Sequence, residues 1–571
     1  MERVDPMPPP ADDGAASRAG LADAYAAVPL LNCLLREVAR PVPGADGRDG
    51  TDRRDGADGA DGTGARPGRG SGGFRTYRLP GTGRLLRVRG TRRPAAPEVR
   101  TADAWHRIGH TELVKLVAEE LRRHTGLSNH ELPAEMIDSR DAVAALLAAR
   151  ARATPPDDPY LRSEQALLTG HTHHPAPKSR GGGPAAGWLP YAPEAHARFP
   201  LTLLGLREDT VVDEGDTRAL DRLGTAPPGY RLLPAHPWQL DLVARDLAPA
   251  FADGRLVRLG ETAFPVWPTA AVRTLYAPGR DLFLKFSLDV RITNDVRRLW
   301  RHDLLRLRAT DTAARSALAA FDGPAAWLSD RGHRTADFAH EQLAVVVRDG
   351  LRAHLLPGAT PYLAAALVEG FDGSPLAATA DPAGWWRAYL ARVVPPVLTA
   401  FAGHGVVLEA HLQNTLVAVD AGSIPVQALF RDAEGVKLLP EAAEAAEAAQ
   451  AAEAAEAAEA AGAAKAVGAA GAAGGASRPP AVSREAGWER LVYCLVVNHL
   501  TEIAAALAEH HPGLDPWPAV HRELARHDFP EAAALRTAPT LPGKTNLLLR
   551  WTGADGADAR YRPLPNPLAG G

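Results

Sequence analysis

Asp281-Leu-Phe-Leu-Lys-Phe-Ser-Leu-Asp-Val-Arg-Ile-Thr293 alternates with a period of two along its whole length. Read as one extended strand, it sets Leu282, Leu284, Phe286, Leu288, Val290 and Ile292 on one face and Phe283, Lys285, Ser287, Asp289, Arg291 and Thr293 on the other. One face packs; the other is free for chemistry. Asn294-Asp295 then reads as a helix N-cap, which places Arg297 in or beside a first helical turn. A cation there opposes the helix dipole, a small local cost that a bound anion would remove. Just upstream, Ala270-Ala-Val-Arg-Thr-Leu-Tyr276 reads as a second strand, carrying Arg273 and Thr274.

Working outward toward the N-terminus, Gly170-His-Thr-His-His-Pro-Ala-Pro-Lys-Ser-Arg-Gly-Gly182 cannot continue a helix, because two prolines and three glycines interrupt it. It is a loop presenting His171, His173, His174, Lys178 and Arg180, a set suited to an anion. Taken alone, the same composition also describes an ordinary solvated loop. Between this loop and the strands, Arg231-Leu-Leu-Pro-Ala-His-Pro-Trp238 is a short apolar strand ending in His236, which reads as a packing residue more readily than as a ligand. Toward the C-terminus, Gly405-Val-Val-Leu-Glu-Ala-His-Leu-Gln-Asn414 sets Glu409, His411 and Gln413 on one face if residues 406–413 are extended. The apolar run after Asn414 is a buried strand, and residues 425–432 form another ending in Arg431-Asp432. Glu409, His411, Gln413, Asn414 and Asp432 brought together by two adjacent strands would make a Mg²⁺ and phosphate end of a site, since Mg²⁺ takes hard oxygen ligands.

The chain is 571 residues long, too long for one core, and a prior of roughly 100–200 residues per domain points to several units. Net charge is −4 with both signs mixed, so no basic excess advertises nucleic acid and any anion site must be local. Cys33 and Cys494 lie far apart in apolar runs, which fits buried thiols in a reducing compartment. No leader or membrane-spanning run is legible, and the expectation is a soluble, cytoplasmic protein.

Residues 20–40 read as a helix, 41–73 as a flexible insertion with little to bury, and 74–92 as a hairpin. Helices are expected at 111–125, 140–152, through 310–400 with a stop at Pro395-Pro396, and at 484–508 and 517–527. Residues 441–476 repeat Ala-Ala-Glu; a period of three winds the glutamates round all sides and leaves no apolar stripe to dock. Two motif matches fail on context. Gly68-Arg-Gly-Ser-Gly-Gly73 has no strand before it, and Gly543-Lys544-Thr545 lacks the first glycine of a P-loop, Ala538 standing in its place.

The ordered set Gly170-His171-x-x-His174-Pro175-x-x-Lys178-x-Arg180, Arg273-Thr274, Lys285 with Thr293 and Arg297, Glu409-x-His411-x-Gln413-Asn414, and Arg431-Asp432 resembles the IucA/IucC family of siderophore synthetases that work without nonribosomal peptide synthetases. The likeness runs from about residue 160 to 550. It implies an α+β fold shaped as a cupped hand: a mostly helical thumb over 1–155, fingers over 156–380 and a palm over 381–571, with many helices around an antiparallel or mixed sheet. It also implies ATP and Mg²⁺ as cofactors, and a small carboxylic acid and an amine or hydroxylamine as substrates. The acid is adenylated and then captured as an amide; dimers occur in the family. By the resemblance, His171, His174, Lys178, Arg180, Arg273, Thr274, Lys285, Gln413, Asn414 and Asp432 contact the nucleotide. Thr293, Arg297 and His411 contact the acid, Lys285, Arg297 and His411 act in catalysis, and Glu409, Asn414 and Asp432 hold the metal.

The chain departs from the family pattern at Thr172, where the loop's first His is usually followed by Pro, and at Ala271, where a serine hydroxyl is usual. Ala271 leaves the identity of the acid open. The charge logic of the residues agrees with the resemblance: two polyanions approach only where cations offset their repulsion. Zinc held by His171, His173 and His174 is the poorer reading, since no helix sets them at ligand spacing. A second class of function, a nucleotide-binding relative with diverted chemistry, is motivated by Ala271 and the Ala/Glu insertion.

Overall fold

Strand Leu282–Phe286 is buried along its whole length, and it lies inside an eight-stranded antiparallel sheet. The computed structural model describes residues 18–43, 73–462, 481–554 and 561–569; most of the 41–73 insertion, including Gly68, and the end of the Ala/Glu segment fall outside these. In sheet order the strands are Val211–Gly215, Asp330–Ala336, Val345–Asp349, Leu282–Phe286, Thr274–Ala277, Leu256–Pro268, Phe199–Arg207 and Tyr230–Ala235. The period of two assigns faces as expected. Leu282, Leu284 and Phe286 pack into one core with Leu204, Leu233 and Val345, whereas Phe283 stacks on Tyr276 in the other. Lys285 shares the Phe283 face, opposite Thr274 on one neighbour and Val346 on the other.

The strand does not run on to Thr293. After Phe286 the chain leaves the sheet, because Leu288 and Val290 enter a separate core with Trp188 and Trp238. It then makes a tight hairpin, Arg291–Ile292 against Asp295–Val296, with Thr293-Asn294 as the two-residue tip. No helix starts at Asn294-Asp295; the next one is Arg301–Ala319, so Arg297 sits beyond the hairpin and not in a helical turn. Asn and Asp suit tight turns as well as caps, and the turn prevails here.

A four-stranded mixed sheet orders Ala325–Leu328, Pro425–Arg431, Thr415–Val419 and Thr360–Leu363, the first pair parallel. Helix Pro382–His404 packs on it and continues through Pro395 and Pro396. Each interior proline costs about 3 kcal/mol. Burial of Trp385, Trp386, Tyr389, Val397 and Phe401, at about 25 cal/mol per Å² of apolar surface, offsets that and carries the helix to Gly405. Among residues 406–413 only Val406–Val407 is extended, pairing with Lys437–Leu438. The chain then turns, with His411 N donating to Glu409 O at 2.9 Å and Asn414 N to His411 O at 3.0 Å, so Glu409, His411 and Gln413 do not line one strand face.

The N-terminal part is less helical than expected. The hairpin Phe74–Arg78/Leu85–Arg89 belongs to a five-stranded antiparallel sheet completed by Arg40–Pro41, Ala95–Thr101 and Ala104–Arg107. Helix Asn546–Thr552 closes its core, contributing Leu547 and Trp551. The Ala/Glu helix, Pro440–Gly462, does dock its first turns, where Ala443 and Ala446 are buried. Helical segment Arg484–His510 is the one described helix long and apolar enough to cross a membrane, and 78% of its apolar window is buried inside the protein.

Candidate active site

Lys285 joins the two sheets. Its Nζ lies 2.5 Å from Asp432 Oδ1 and 2.8 Å from Glu434 Oε2, on the turn that follows strand Pro425–Arg431. Arg273 Nη2 reaches the same Glu434 oxygen at 3.0 Å, and Arg348 Nη2 reaches Asp432 Oδ1 at 3.1 Å while the same nitrogen and Nε donate to the Asp330 carboxylate. Burial pushes the Asp432 carboxyl up, but Lys285 and Arg348 outweigh it and hold it well below the usual carboxylate range. Glu434 is likewise raised by burial and lowered further by Lys285 and Arg273, to about 2. Both carboxylates are ionised, and each remains about one-quarter exposed.

The hairpin beside this cluster carries Thr293 and Arg297. Arg297 donates to Ile292 O at 2.7 Å and to Thr293 Oγ1 at 2.5 Å, while its own carbonyl accepts from Arg273 Nη1 at 3.0 Å. Among the described residues it forms no ion pair with a carboxylate, and burial followed by the nearby Arg273 lowers its pKa against the pull of Asp295, Glu434 and Asp432. Three non-glycine residues with positive φ flank this region: Val272 (64°), Thr293 (62°) and Asp432 (85°). Left-handed backbone at β-branched residues is strained, and such strain gathers where a site fixes geometry at the expense of stability. Here it falls at Thr293 and Asp432 themselves and at Val272, next to Arg273.

In the loop, His171 is exposed yet ringed by protein, with His411 and Lys544 close enough to be felt electrostatically. Burial and these neighbours lower its pKa to about 3. His174 is buried; its Nδ1 accepts from Ala176 N at 3.1 Å, and burial with His171 nearby holds it well below the usual imidazole range. His173 turns instead to Glu502, 3.1 Å away on helix Thr501–His510. Lys178 and Arg180 do not join the Lys285 cluster. Both are buried against Glu194 Oε1, at 2.5 and 3.0 Å, and shape the loop from behind.

The turn bearing Glu409 and His411 is held from below. His499 Nδ1 donates to Ala410 O at 2.8 Å and its Nε2 accepts from Tyr389 OH at 2.5 Å, inside the π-helical turn Val492–Leu500. Burial drops the His499 pKa to about 4, so this neutral tautomer persists. His411 lies 4.0 Å from Glu409 and 3.4 Å from the Asn414 carboxamide, and burial lowers its pKa despite Glu409 and Asp432 nearby. Gln413 is partly exposed, and its carbonyl accepts from the buried Arg431. Glu409, Asn414 and Asp432 do not form one ligand set. Glu409 pairs with Arg490 at 2.7 Å and Asn414 with His411, so the carboxylates that converge are Asp432 and Glu434.

Two further cations lie near this turn. Lys437 and Lys544 are half-buried, form no ion pair among the described residues, and both lie within electrostatic reach of Glu409 and Arg490. Burial, then Arg490, lowers both pKa values. Lys544 ends strand Thr540–Lys544, so its Gly-Lys-Thr context is a strand terminus and not a phosphate loop. A signal for these residues stood in the composition. Only six of the 64 basic residues are lysines, and Lys178, Lys285, Lys437 and Lys544 are four of them. Where arginine is the default cation, a lysine marks a need for a compact point charge. Arg348, Glu434 and Glu194 carried no such signal.

The IucA / IucC family model matches residues 159–369, and a model described as "Ferric iron reductase FhuF-like transporter" matches residues 383–559. The L-2,3-diaminopropanoate–citrate ligase of Staphylococcus aureus is 27% identical over 462 residues, covering 72% of this chain and 75% of that protein. The rhizobactin siderophore biosynthesis protein RhbC of Rhizobium meliloti is 30% identical over 48% of this chain, and the match spans about half of that relative (54%). Among solved structures, ATP-bound aerobactin synthetase IucA from a hypervirulent pathotype of Klebsiella pneumoniae superposes with a TM-score of 0.73 at 23% identity, covering 95% of this chain and 99% of that one. Petrobactin biosynthesis protein AsbB from Bacillus anthracis gives 0.71 at 16% identity, with 97% and 96% covered.

Proposed function

The chain belongs to the IucA/IucC family, and on that premise we propose that it is an ATP-dependent synthetase that adenylates a citrate-type carboxylic acid and condenses it with an amine to form an amide. One observation carries this reading: among the described residues Arg297, Lys437 and Lys544 form no ion pair with a carboxylate although all three are at least partly buried, and Arg297 and Lys437 lie within electrostatic reach of Glu434 in the Lys285–Arg273–Arg348 cluster. Unpaired, desolvated cations are costly unless an anion arrives to meet them. ATP with about four negative charges and an acid with up to about three are such anions.

A carboxylate oxygen of the acid attacks the α-phosphorus, the bond to pyrophosphate breaks, and an acyl-adenylate forms. The amine nitrogen then attacks the acyl carbon, AMP leaves, and one proton passes from nitrogen to a base. Lys285, Arg273 and Arg348 offset the phosphate charge, and Arg297 with Lys544 holds the acid. His411, kept neutral by burial, is the proton acceptor the cleft offers. Asp432 and Glu434 fit a Mg²⁺ that arrives with the nucleotide, since that ion commonly takes one or two protein carboxylates and keeps phosphate and water for the rest. The metal supplies charge neutralisation on the phosphates.

Names among the relatives supply candidate nucleophiles for the test. The diaminopropanoate–citrate ligase, the citryl-acetyl-hydroxylysine synthase of Escherichia coli and the D-ornithine–citrate ligase of Staphylococcus aureus are named for amino-acid amines, whereas the spermidine–citrate ligase of Bacillus anthracis is named for a polyamine. The test is AMP and pyrophosphate formation from ATP, Mg²⁺ and citrate with a panel of 2,3-diaminopropanoate, ornithine, lysine and spermidine. Acid-dependent release, enhanced by one amine, is expected. ATP binding without acid-dependent release across the panel would favour the diverted, nucleotide-binding alternative.

A further inference from the structure

We propose that Asn546 is a positioning residue that couples the nucleotide and acid sites by tying the histidine loop to the substrate hairpin. This rests on the synthetase reading above. Asn546 is buried at 2% exposure, two residues beyond Lys544, at the start of helix Asn546–Thr552. Its Nδ2 donates to His173 O at 2.7 Å, and its Oδ1 accepts from Asn294 Nδ2 at 3.2 Å. A carbonyl can only accept, so the first bond fixes which end of the carboxamide faces the loop and leaves the oxygen for Asn294. Asn294 is the hairpin tip, adjacent to Thr293 and three residues from Arg297.

The carboxamide is itself held in place. Glu37 accepts from Leu547 N at 3.0 Å and Leu548 N at 2.9 Å, Leu547 and Trp551 are seated in the N-terminal core, and Asn32 Nδ2 grips the neighbouring loop carbonyl of Thr172 at 3.1 Å. One rigid side chain therefore spans the two elements that meet ATP and the acid. Ordering the loop around nucleotide orders the hairpin, and the converse holds by reciprocity.

Steady-state AMP formation at subsaturating and saturating ATP tests this. In the wild-type protein, raising ATP to saturation lowers the KM for citrate, by about tenfold, within the usual range of coupling between sites. In Asn546→Ala the citrate KM becomes independent of ATP to within about twofold, while kcat at saturation of both substrates stays near wild type and the protein, though lower in melting temperature, remains folded at the assay temperature. Asn294→Ala, which cuts the hairpin arm together with the Asn294 contact to His174, has the same effect, and the double variant is no worse than either single. Persistence of the ATP effect in both single variants overturns the proposal, as does its absence from a wild-type protein that makes AMP in an acid-dependent way. A wild-type protein with no acid-dependent AMP overturns the synthetase reading instead, and coupling is then read from citrate binding with and without ATP.

Discussion

Lys285 Nζ lies 2.5 Å from Asp432 Oδ1 although Lys285 belongs to the eight-stranded sheet and Asp432 follows a strand of the four-stranded one. That contact holds the two sheets in register and places the Lys285 ammonium between Asp432 and Glu434, the carboxylates proposed to meet the nucleotide's metal. Changing Lys285 to Met keeps much of the stem and removes the charge. Acid-dependent AMP formation is expected to fall by about 10²–10³-fold, the usual effect of removing one preorganised charge-stabilising donor. A loss under about tenfold would mean that Lys285 joins the sheets and does nothing more.

Lys544 gives the opposite balance of stability and activity. It has no ion pair among the described residues to lose and burial already lowers its pKa, so Lys544→Ala leaves the melting temperature unchanged or slightly higher. The KM for the acid is expected to rise about tenfold or more, as for loss of one charge-assisted hydrogen bond, with a smaller change in the KM for ATP. A drop in melting temperature with both KM values intact would assign Lys544 to the fold alone.

Glu37 makes stability depend on pH with a definite sign. Burial raises its carboxyl to about 7, against the lowering effect of the Leu547 and Leu548 amides. Between the ordinary value near 4.5 and about 7, the folded chain keeps a proton that the unfolded chain has released. Stability from this group is thus full at low pH and declines as pH rises through that window, by up to about 3 kcal/mol. Chemical denaturation at pH 5 and pH 8 is expected to show that decline reduced in Glu37→Gln relative to wild type. An identical pH dependence in the two proteins contradicts it.

Nucleotide binding is expected to take up protons. His171, held near 3 by burial and cationic neighbours, and His174, lowered by burial, are both neutral in the free protein. A polyphosphate brought beside them favours their charged forms, so both pKa values rise on binding. Calorimetry of ATP binding at pH 6 in buffers of different ionisation enthalpy measures the number of protons taken up. Zero uptake, or release, places the phosphates away from this loop.

Much of the site was legible because its chemistry sits on local patterns. The period of two around Lys285 assigned the faces of Leu282–Phe286, and the His-rich loop declared itself by composition. What failed depended on distant partners. Leu288 and Val290 continue the alternation, but Trp188 and Trp238 draw them into another core and the strand ends. Residues 406–413 read as extended, whereas the buried Tyr389–His499 chain holds Ala410 O and fixes a turn. Lys178 and Arg180 look like free cations beside ATP until Glu194, far from any recognisable motif, is found between them. The scarcity of lysine was open to view from the start and points to Lys437 and Lys544, which periodicity alone passes over.

Reaction with citrate labelled in its carboxylates with ¹⁸O is the most direct test of whether these converging cations bring a carboxylate onto the α-phosphorus. One labelled oxygen per turnover is expected in AMP, because the attacking oxygen stays on phosphorus when the amine displaces the adenylate. Label in inorganic phosphate, with ADP as the other product, or no label in any phosphate, contradicts adenylation in this cleft.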